Sequence, residues 1–331
     1  MIRRPPRSTL DRSSAASDVY KRQIINSLEM PKRRLNVAID CGNAVAGPAM
    51  LDLFNNLEVD IVPIFCDWDN QFPNHPPDPT RIENMQHLAE VVRENNCDFG
   101  IGIDGDGDRV GLVDEKGNFI HPDKMLALFA IDVLKKREGL SEQERTIIFD
   151  VKCSMAVEKV IKEYGGIPLM LRTGHSFQKQ ALRENPLVPL AGEMSGHIFF
   201  NDRYFGFDDA IYAAIRLIDV VNRQGKNLST IRSALPSVIN TPELRLPCEG
   251  KNKFSMIEQV KEILQEYKDV EVCDIDGVRV SSKYGWWLIR ASNTQEIIVA
   301  RCEATSTEYL ENIKTQLKEV LQRIRLPYPP F

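Results

Sequence analysis

Residues 35–103 switch repeatedly between two hydrophobic periods, and that switching limits the chain to folds in which helices cover a largely parallel sheet. "LNVAID" (35–40) is short, β-branched and followed by the turn-prone "CGNAVAG". Ala46, Ala49, Met50, Leu53, Phe54 and Leu57 then recur at helical spacing. "VDIVPIF" (59–65) reads as a second strand and "QFPNHPPDP" as a proline-rich loop. Thr80 followed by Glu83 predicts a capping box opening a helix that carries Ile82, Met85, Leu88, Ala89 and Val92 on one face. "DFGIGI" is the next strand. The turn "CGNAVAG" lacks both the Lys-Ser/Thr of a P-loop and the G-x-G-x-x-G of a dinucleotide fold, so it reads as a plain strand-to-helix turn.

The alternation continues. "VGLVDEKGNFI" predicts a hairpin turning at Lys116-Gly117, followed by a helix over about 123–137 and a linker "REGLSEQER". "TIIFDV", "IPLML" and "VPLAGE" read as strands, with helices over about 154–164, 177–185 and 208–223. From about residue 241 strands dominate: "ELRLPC", "VEVCDIDGVRVSS", "WWLIRAS" and "EIIVARCEA", with helices near 254–267 and 306–324. The expected fold is α/β: two successive sandwich-like α/β domains with mixed sheets, 23–118 and 119–240, then a smaller α+β domain, 241–331. Residues 1–22 are rich in Arg and Ser and poor in apolar side chains, and read as a disordered, non-native leader outside the fold.

The formal net charge of -5 conceals an asymmetry. The leader carries six basic and two acidic side chains, so the remaining body is more acidic than the whole. Such a body is a poor nucleic-acid binder. No apolar run approaches the roughly 20 residues of a membrane span, and no secretory signal is recognisable. Seven cysteines are scattered with no CxxC pair. They read as buried free thiols of a cytoplasmic protein rather than a disulfide or zinc framework.

The stretch "GIDGDGDRVGLV" sets Asp104, Asp106 and Asp108 at alternate positions, with glycine between them and Arg109 next. In extended backbone such residues project to one side. Three carboxylates so close repel unless a cation sits among them, and a hard divalent ion, Mg2+ or Ca2+, resolves the conflict. An EF-hand is excluded: its sixth position must be glycine and here is Arg109, and the flanks read as strands. A merely solvated acidic turn does not explain the strict alternation between apolar strands. Arg109 beside a metal cluster suits a phosphate touching both. "GEMSGH" offers Glu193, Ser195 and His197 as a polar comb for sugar hydroxyls; its spacing is not that of a hydrolase nucleophile elbow. "RASNT" offers Arg290, Ser292, Asn293 and Thr294 as donors for a phosphate dianion. Lys152 and His175 follow predicted strands, where α/β sheets place ligands. His75 and His87 read as structural.

Together these stretches resemble the α-D-phosphohexomutase family, in its bacterial phosphomannomutase/phosphoglucomutase branch. "DCGNAVAG", "FPNHPPDP", "GIDGDGDRVGLV", "IIFDVKCS", "RTGHSFQK", "AGEMSGHIFF", "RYFGFDDAIYAA", "DGVRV" and "RASNT" occur in the expected order over roughly residues 35–305. The resemblance implies that Asp104, Asp106 and Asp108 ligate Mg2+ and that Arg109 contacts the transferring phosphate. It implies that Lys152 and His175 act on the substrate side, with His175 a candidate for proton transfer. It implies that Glu193 and Ser195 read two sugar hydroxyls with His197 nearby, and that Arg290, Ser292, Asn293 and Thr294 clamp the other phosphate. The implied reaction interconverts hexose 1- and 6-phosphates of mannose or glucose through a phosphoserine and a 1,6-bisphosphate. The family's first domain carries that serine in a "TASHNP"-type loop, which these 331 residues do not contain. The chain is therefore expected to be a fragment with little or no turnover. The alternative is a non-catalytic module binding sugar phosphates or Mg2+. Neither reading involves nucleic acid or membrane.

Overall fold

The computed structural model describes residues 33–327 apart from 58, 136–138, 249, 251, 269, 293 and 294, together with Val19, Arg22, Ile24 and Ile25. The leader expected over 1–22 lies outside the described residues except for Val19 and Arg22, both helical. The chain forms two compact units, one of residues 1–125 and 195–232, the other of 126–194 and 233–331. The fold is α/β with mixed sheets, as the alternating pattern predicts, and closes on an antiparallel sheet at its C-terminal end.

In the first unit five strands, β1 (Leu35–Asp40), β2 (Val59–Ile64), β3 (Phe99–Ile103), β4 (Val110–Asp114) and β5 (Phe119–Ile120), line up as β2-β1-β3-β4-β5. β1 runs parallel to both β2 and β3, and β3 turns back antiparallel onto β4. β3 and β4 are buried at every position, which is why they read as continuous apolar runs. The helix Gln86–Glu94 covers this sheet with Leu88, Ala89, Val91 and Val92 against Ala38 and Val113. Its start differs from the expected capping box. A 3-10 turn, Ile82–Met85, precedes it without a side-chain cap, because Thr80 Oγ donates to Asp78 instead (2.7 Å) and Glu83 pairs with Arg81. Asp78 competes for the hydroxyl because it must hold the bend of the proline-rich loop, accepting the Thr80 N–H as well.

Two strand glycines explain how that loop is seated. Gly102 and Gly111 face each other across β3 and β4. A Cβ on Gly111 would lie 2.3 Å from the Pro79 carbonyl oxygen, and one on Gly102 would lie 3.2 Å from Pro79 Cβ. The missing side chains let Pro79 lie directly on the sheet.

In the second unit Thr146–Asp150 lies between two parallel partners, Ile167–Leu171 and Leu190–Gly192. The helices Met155–Glu163 and His175–Glu184 follow the first two of these strands. The segment "REGLSEQER", expected as a linker, contains a one-turn helix, Glu142–Arg145, closed by a reciprocal Ser141–Glu144 capping box. The C-terminal sheet runs Ile239–Asn240, Ile297–Ala304, Gly285–Ala291, Val278–Ser282, Glu271–Cys273, with Leu244–Pro247 also paired to Ile297–Ala304. The helices Lys253–Leu264 and Thr307–Arg323 bury Met256, Val260, Leu317 and Leu321 with Trp287 and Ile289 in one core. The run "VEVCDIDGVRVSS" is not one strand but a hairpin, Glu271–Cys273 and Val278–Ser282, because Gly277 takes φ 76°. That turn points Asp276 at neighbours discussed below.

Among the described residues no helix is long and apolar enough to cross a membrane. All seven cysteines are free; six are buried and Cys273 is half-buried.

Candidate functional site

In the first unit the alternation of Asp104, Asp106 and Asp108 does not follow from extended backbone. The chain turns at Gly107, whose φ is 83°. Asp104 is fully buried, and its Oδ1 accepts the backbone N–H groups of Gly107 (3.1 Å), Asp108 (3.0 Å) and Arg109 (3.0 Å). One carboxylate thus organises the loop that carries the other two. The loop is braced from outside by the N–H of Ala210, at the start of the helix Ala210–Gln224, which donates to the Gly107 carbonyl (3.1 Å). Despite the turn, ligand oxygens of Asp104, Asp106 and Asp108 lie within 4.8 Å of one another and could hold a metal ion. Burial lessens from Asp104 through Asp108 to Asp106, which is exposed.

Electrostatics shows how strained this gathering of anions is. The Asp108 carboxyl is pushed up to about 6, by burial first and then by Asp104, Asp106 and Asp208, against the pull of His197. His197 Nδ1 stands 3.6 Å from Asp108 and 3.2 Å from Asp208. Arg109 is the other counter-charge. Its Nε donates to Asp104 Oδ2 (2.6 Å) and its Nη1 to Asp78 Oδ1 (3.3 Å). Burial pulls the guanidinium down, but the charge and hydrogen bond of Asp104, with Asp78 and Asp108, more than offset it and hold the pKa above its ordinary value. The residues present fit a hard cation: the donors are all carboxylate oxygens, and the anionic charge is only partly compensated. Asp78 was not singled out in the sequence. Its only signal is membership of the proline-rich loop, and its role depends on how Pro79 sits on the two glycines.

The first unit also holds Ser195, half-buried at the start of its second segment. His75, read as structural, caps the turn after β1. Its Nε2 lies 3.0 Å from Asp40 Oδ2, and this hydrogen bond, opposed by burial, raises its pKa.

In the second unit two acids that were not selected, buried Asp150 and half-buried Asp276, connect the loops that carry the sequence-selected residues. Asp150 ends its strand; its Oδ2 accepts Thr173 Oγ (2.9 Å) and its Oδ1 accepts the Met194 N–H (3.2 Å). Asp276 Oδ2 accepts the Thr173 N–H (3.0 Å) and Arg290 Nε (3.0 Å). Together they tie the loop before His175, the "GEMSGH" loop and the strand of Arg290 to one another. Gly174 has φ 138°, and its N–H donates to Glu193 Oε1 (2.7 Å). His175 is exposed at the first turn of its helix, with Lys179 Nζ 3.2 Å from Nδ1. Lys152 approaches Glu243 at 3.8 Å, and its carbonyl is held by Arg301 (2.7 Å). Arg290 is 5% exposed, and its Nη2 has no hydrogen-bond partner among the described residues. Ser292 is buried beside it in sequence, while Asn293 and Thr294 lie outside the described residues.

Comparison with known proteins matches three successive stretches of the chain. The family models for phosphoglucomutase/phosphomannomutase match in order: alpha/beta/alpha domain II at 18–117, alpha/beta/alpha domain III at 121–238 and the C-terminal domain at 243–320. A phosphomannomutase/phosphoglucomutase of Pseudomonas syringae pv. tomato is 42% identical over 315 residues, covering 94% of this chain and 66% of the relative. A phosphoglucomutase of Neisseria gonorrhoeae is 40% identical over 307 residues, 92% of this chain and 65% of the relative. The chain thus spans about two thirds of the length of the relatives it matches. Among solved structures, a phosphoglucomutase/phosphomannomutase family protein of Burkholderia thailandensis has a TM-score of 0.86 at 39% identity, covering 94% of this chain and 66% of that one. An Aspergillus fumigatus N-acetylphosphoglucosamine mutase, solved with GlcNAc-6P and magnesium, shares the fold with a TM-score of 0.63 at 15% identity, covering 93% and 68%. With all three regions matched in order by one family's models and close relatives aligned along nearly its full length, the chain belongs to the phosphoglucomutase/phosphomannomutase family.

Proposed function

We propose that this chain is the metal-, sugar- and phosphate-binding portion of a phosphohexomutase that interconverts hexose 1- and 6-phosphates, of mannose or glucose, through a phosphoserine and a 1,6-bisphosphate. The observation that carries the reading is the aspartate loop, with three carboxylates drawn together around a buried Asp104 and an arginine anchored against them. The division at 23–118, 119–240 and 241–331 is part of the same reading.

Asp104, Asp106 and Asp108 hold Mg2+, whose preference for carboxylate oxygen plus phosphate oxygen matches this donor set. A bound Mg2+ supplies charge neutralisation at phosphoryl oxygens, where most phosphoryl-transfer catalysis lies. Arg109 is oriented by Asp104 and Asp78 through Nε and Nη1, which leaves its Nη2 edge for the transferring phosphate. His197 balances the charge of Asp108 and Asp208. In the other unit Asp276 aims Arg290. A buried guanidinium nitrogen without an acceptor is costly, and a phosphate oxygen supplies the acceptor. Ser292, Asn293 and Thr294 complete that clamp. Glu193 and Ser195 accept and donate to two sugar hydroxyls. His175 and Lys152 are the candidates for moving a proton at the attacking or leaving oxygen.

The test is calorimetric titration of the chain with glucose 1-phosphate, mannose 1-phosphate and glucose 1,6-bisphosphate, with and without Mg2+. Binding of the bisphosphate that is lost in Arg290→Ala supports the reading. Absence of binding by all three sugar phosphates overturns it. In a coupled assay the 331-residue chain alone is expected to convert glucose 1-phosphate no faster than background. Efficient turnover would show that the serine-bearing loop is dispensable.

A further inference from the structure

Cys41 and Cys66 stand side by side just beyond the carboxyl ends of β1 and β2. Both are free, and their sulfurs lie 3.5 Å apart. The parallel register that sets Asp40 opposite Ile64 is continued past the strand ends. The Cys41 N–H donates to the Ile64 carbonyl (3.4 Å) and the Asn43 N–H to the Phe65 carbonyl (2.7 Å). Phe65 takes a left-handed φ of 51°, rare for a residue with a side chain, and the chain bends there so that Cys66 Sγ comes within 3.7 Å of the Ile39 carbonyl of β1. The opposite side of this turn is closed by backbone: a Cβ on Gly47 would sit 2.0 Å from the Cys66 carbonyl oxygen. Cys66 is therefore pressed toward Cys41. A disulfide needs about 2.05 Å between sulfurs, so closure requires an approach of about 1.5 Å, to be made by rotation about the two χ1 torsions.

We propose that Cys41 and Cys66 are a reversible oxidation site that closes to an intramolecular disulfide when the protein meets a peroxide. The Cys66 thiolate attacks a peroxide oxygen, the O–O bond breaks, and hydroxide leaves with Cys66 as sulfenic acid. The Cys41 sulfur then attacks the Cys66 sulfur; the S–S bond forms, the S–O bond breaks, and the Cys41 proton leaves with the hydroxyl as water. The roles are assigned by access: Cys66 keeps 7% of its surface exposed and Cys41 none. The shared hydrogen bond works the same way, lowering the Cys66 thiol and, with burial, raising the Cys41 thiol. The product ties the turn after β1 to the turn after β2.

The reduced 331-residue chain is treated with hydrogen peroxide to the point where half-buried Cys273 is modified, the remaining thiols are alkylated, and the protein is digested. No Lys or Arg lies between residues 34 and 81, so trypsin releases both cysteines in one peptide; cleavage after Glu58 separates them. The expected result is loss of about 2 Da from the 35–81 peptide, the two halves staying joined after cleavage at Glu58 until dithiothreitol is added. In Cys66→Ser, Cys41 should remain alkylatable. Two results overturn the proposal, both readable on the wild-type chain alone: Cys41 and Cys66 both still alkylatable once Cys273 is oxidised, or Cys66 carried to sulfinic acid while Cys41 stays reduced.

Discussion

Asp104 and Asp106 are two residues apart and carry the same functional group, yet their burial gives them different work. Asp104 holds three backbone N–H groups and Arg109 inside the loop. Asp106 faces solvent. Asp106→Asn is expected to leave the melting temperature of the metal-free protein nearly unchanged while weakening Mg2+ binding at least about tenfold by calorimetry. Asp104→Ala should destabilise the metal-free fold by about 2–3 kcal/mol in urea melts, because it leaves the half-buried Arg109 guanidinium and three loop amides without their buried acceptor. Asp108 sets the pH dependence. Its carboxyl titrates at about 6 in the folded protein and at the ordinary lower value when unfolded, so the metal-free fold binds a proton that the unfolded chain does not. That fold is therefore favoured by acid in this range and loses the support as pH rises through 6. Asp108→Asn should raise the melting temperature of the metal-free protein at pH 7.5, by roughly half as much at pH 5 and hardly at all below pH 4. Mg2+ affinity of the unaltered chain should rise with pH through the same point, because the proton and the cation compete for one oxygen.

The strand pair β3–β4 carries the aspartate loop, and its glycines matter as much as its charges. The continuous apolar runs "GIGI" and "VGLV" give the strands away in the sequence, but not why glycine stands at 102 and 111. The register answers that: the two face each other and Pro79 rests on them. Gly111→Ala is expected to cost about 1–3 kcal/mol, read from urea melts, since the added Cβ would overlap the Pro79 carbonyl oxygen. The same substitution moves Asp78 away from Arg109, so it should weaken sugar-phosphate binding more than Mg2+ binding, which checks the loop's role separately from stability. The hairpin at Gly277 teaches a related lesson. A stretch read as one strand hid a turn, and with it the acid that orients Arg290.

Each compact unit holds its own set of polar residues, one centred on carboxylates and the other on Arg290 with Asp276. A cation bound by the first set should therefore slow amide exchange locally rather than globally. Hydrogen-exchange mass spectrometry with and without Mg2+ is expected to show added protection in peptides from 99–114 and 195–212, and little change in those from 278–304. Uniform protection across both groups would contradict binding at the aspartate loop.

What could be read from the chain alone was whatever is encoded locally. Period-2 and period-3.6 patterns located most strands and helices, because burial of one face acts on neighbouring residues. The aspartate loop stood out because three like charges in five residues between apolar strands call for a compensating charge. The ordered motifs gave the family. What only the tertiary structure decided are relations between residues distant in sequence: Asp78 with Arg109, Asp276 with both Thr173 and Arg290, Cys41 with Cys66, and Pro79 on its paired glycines. Apart from Arg109 and Arg290, none of these residues stands out by type or spacing. Their partners are chosen by strand register and by which loop a sheet leaves room for, and both quantities exist only once the chain has packed.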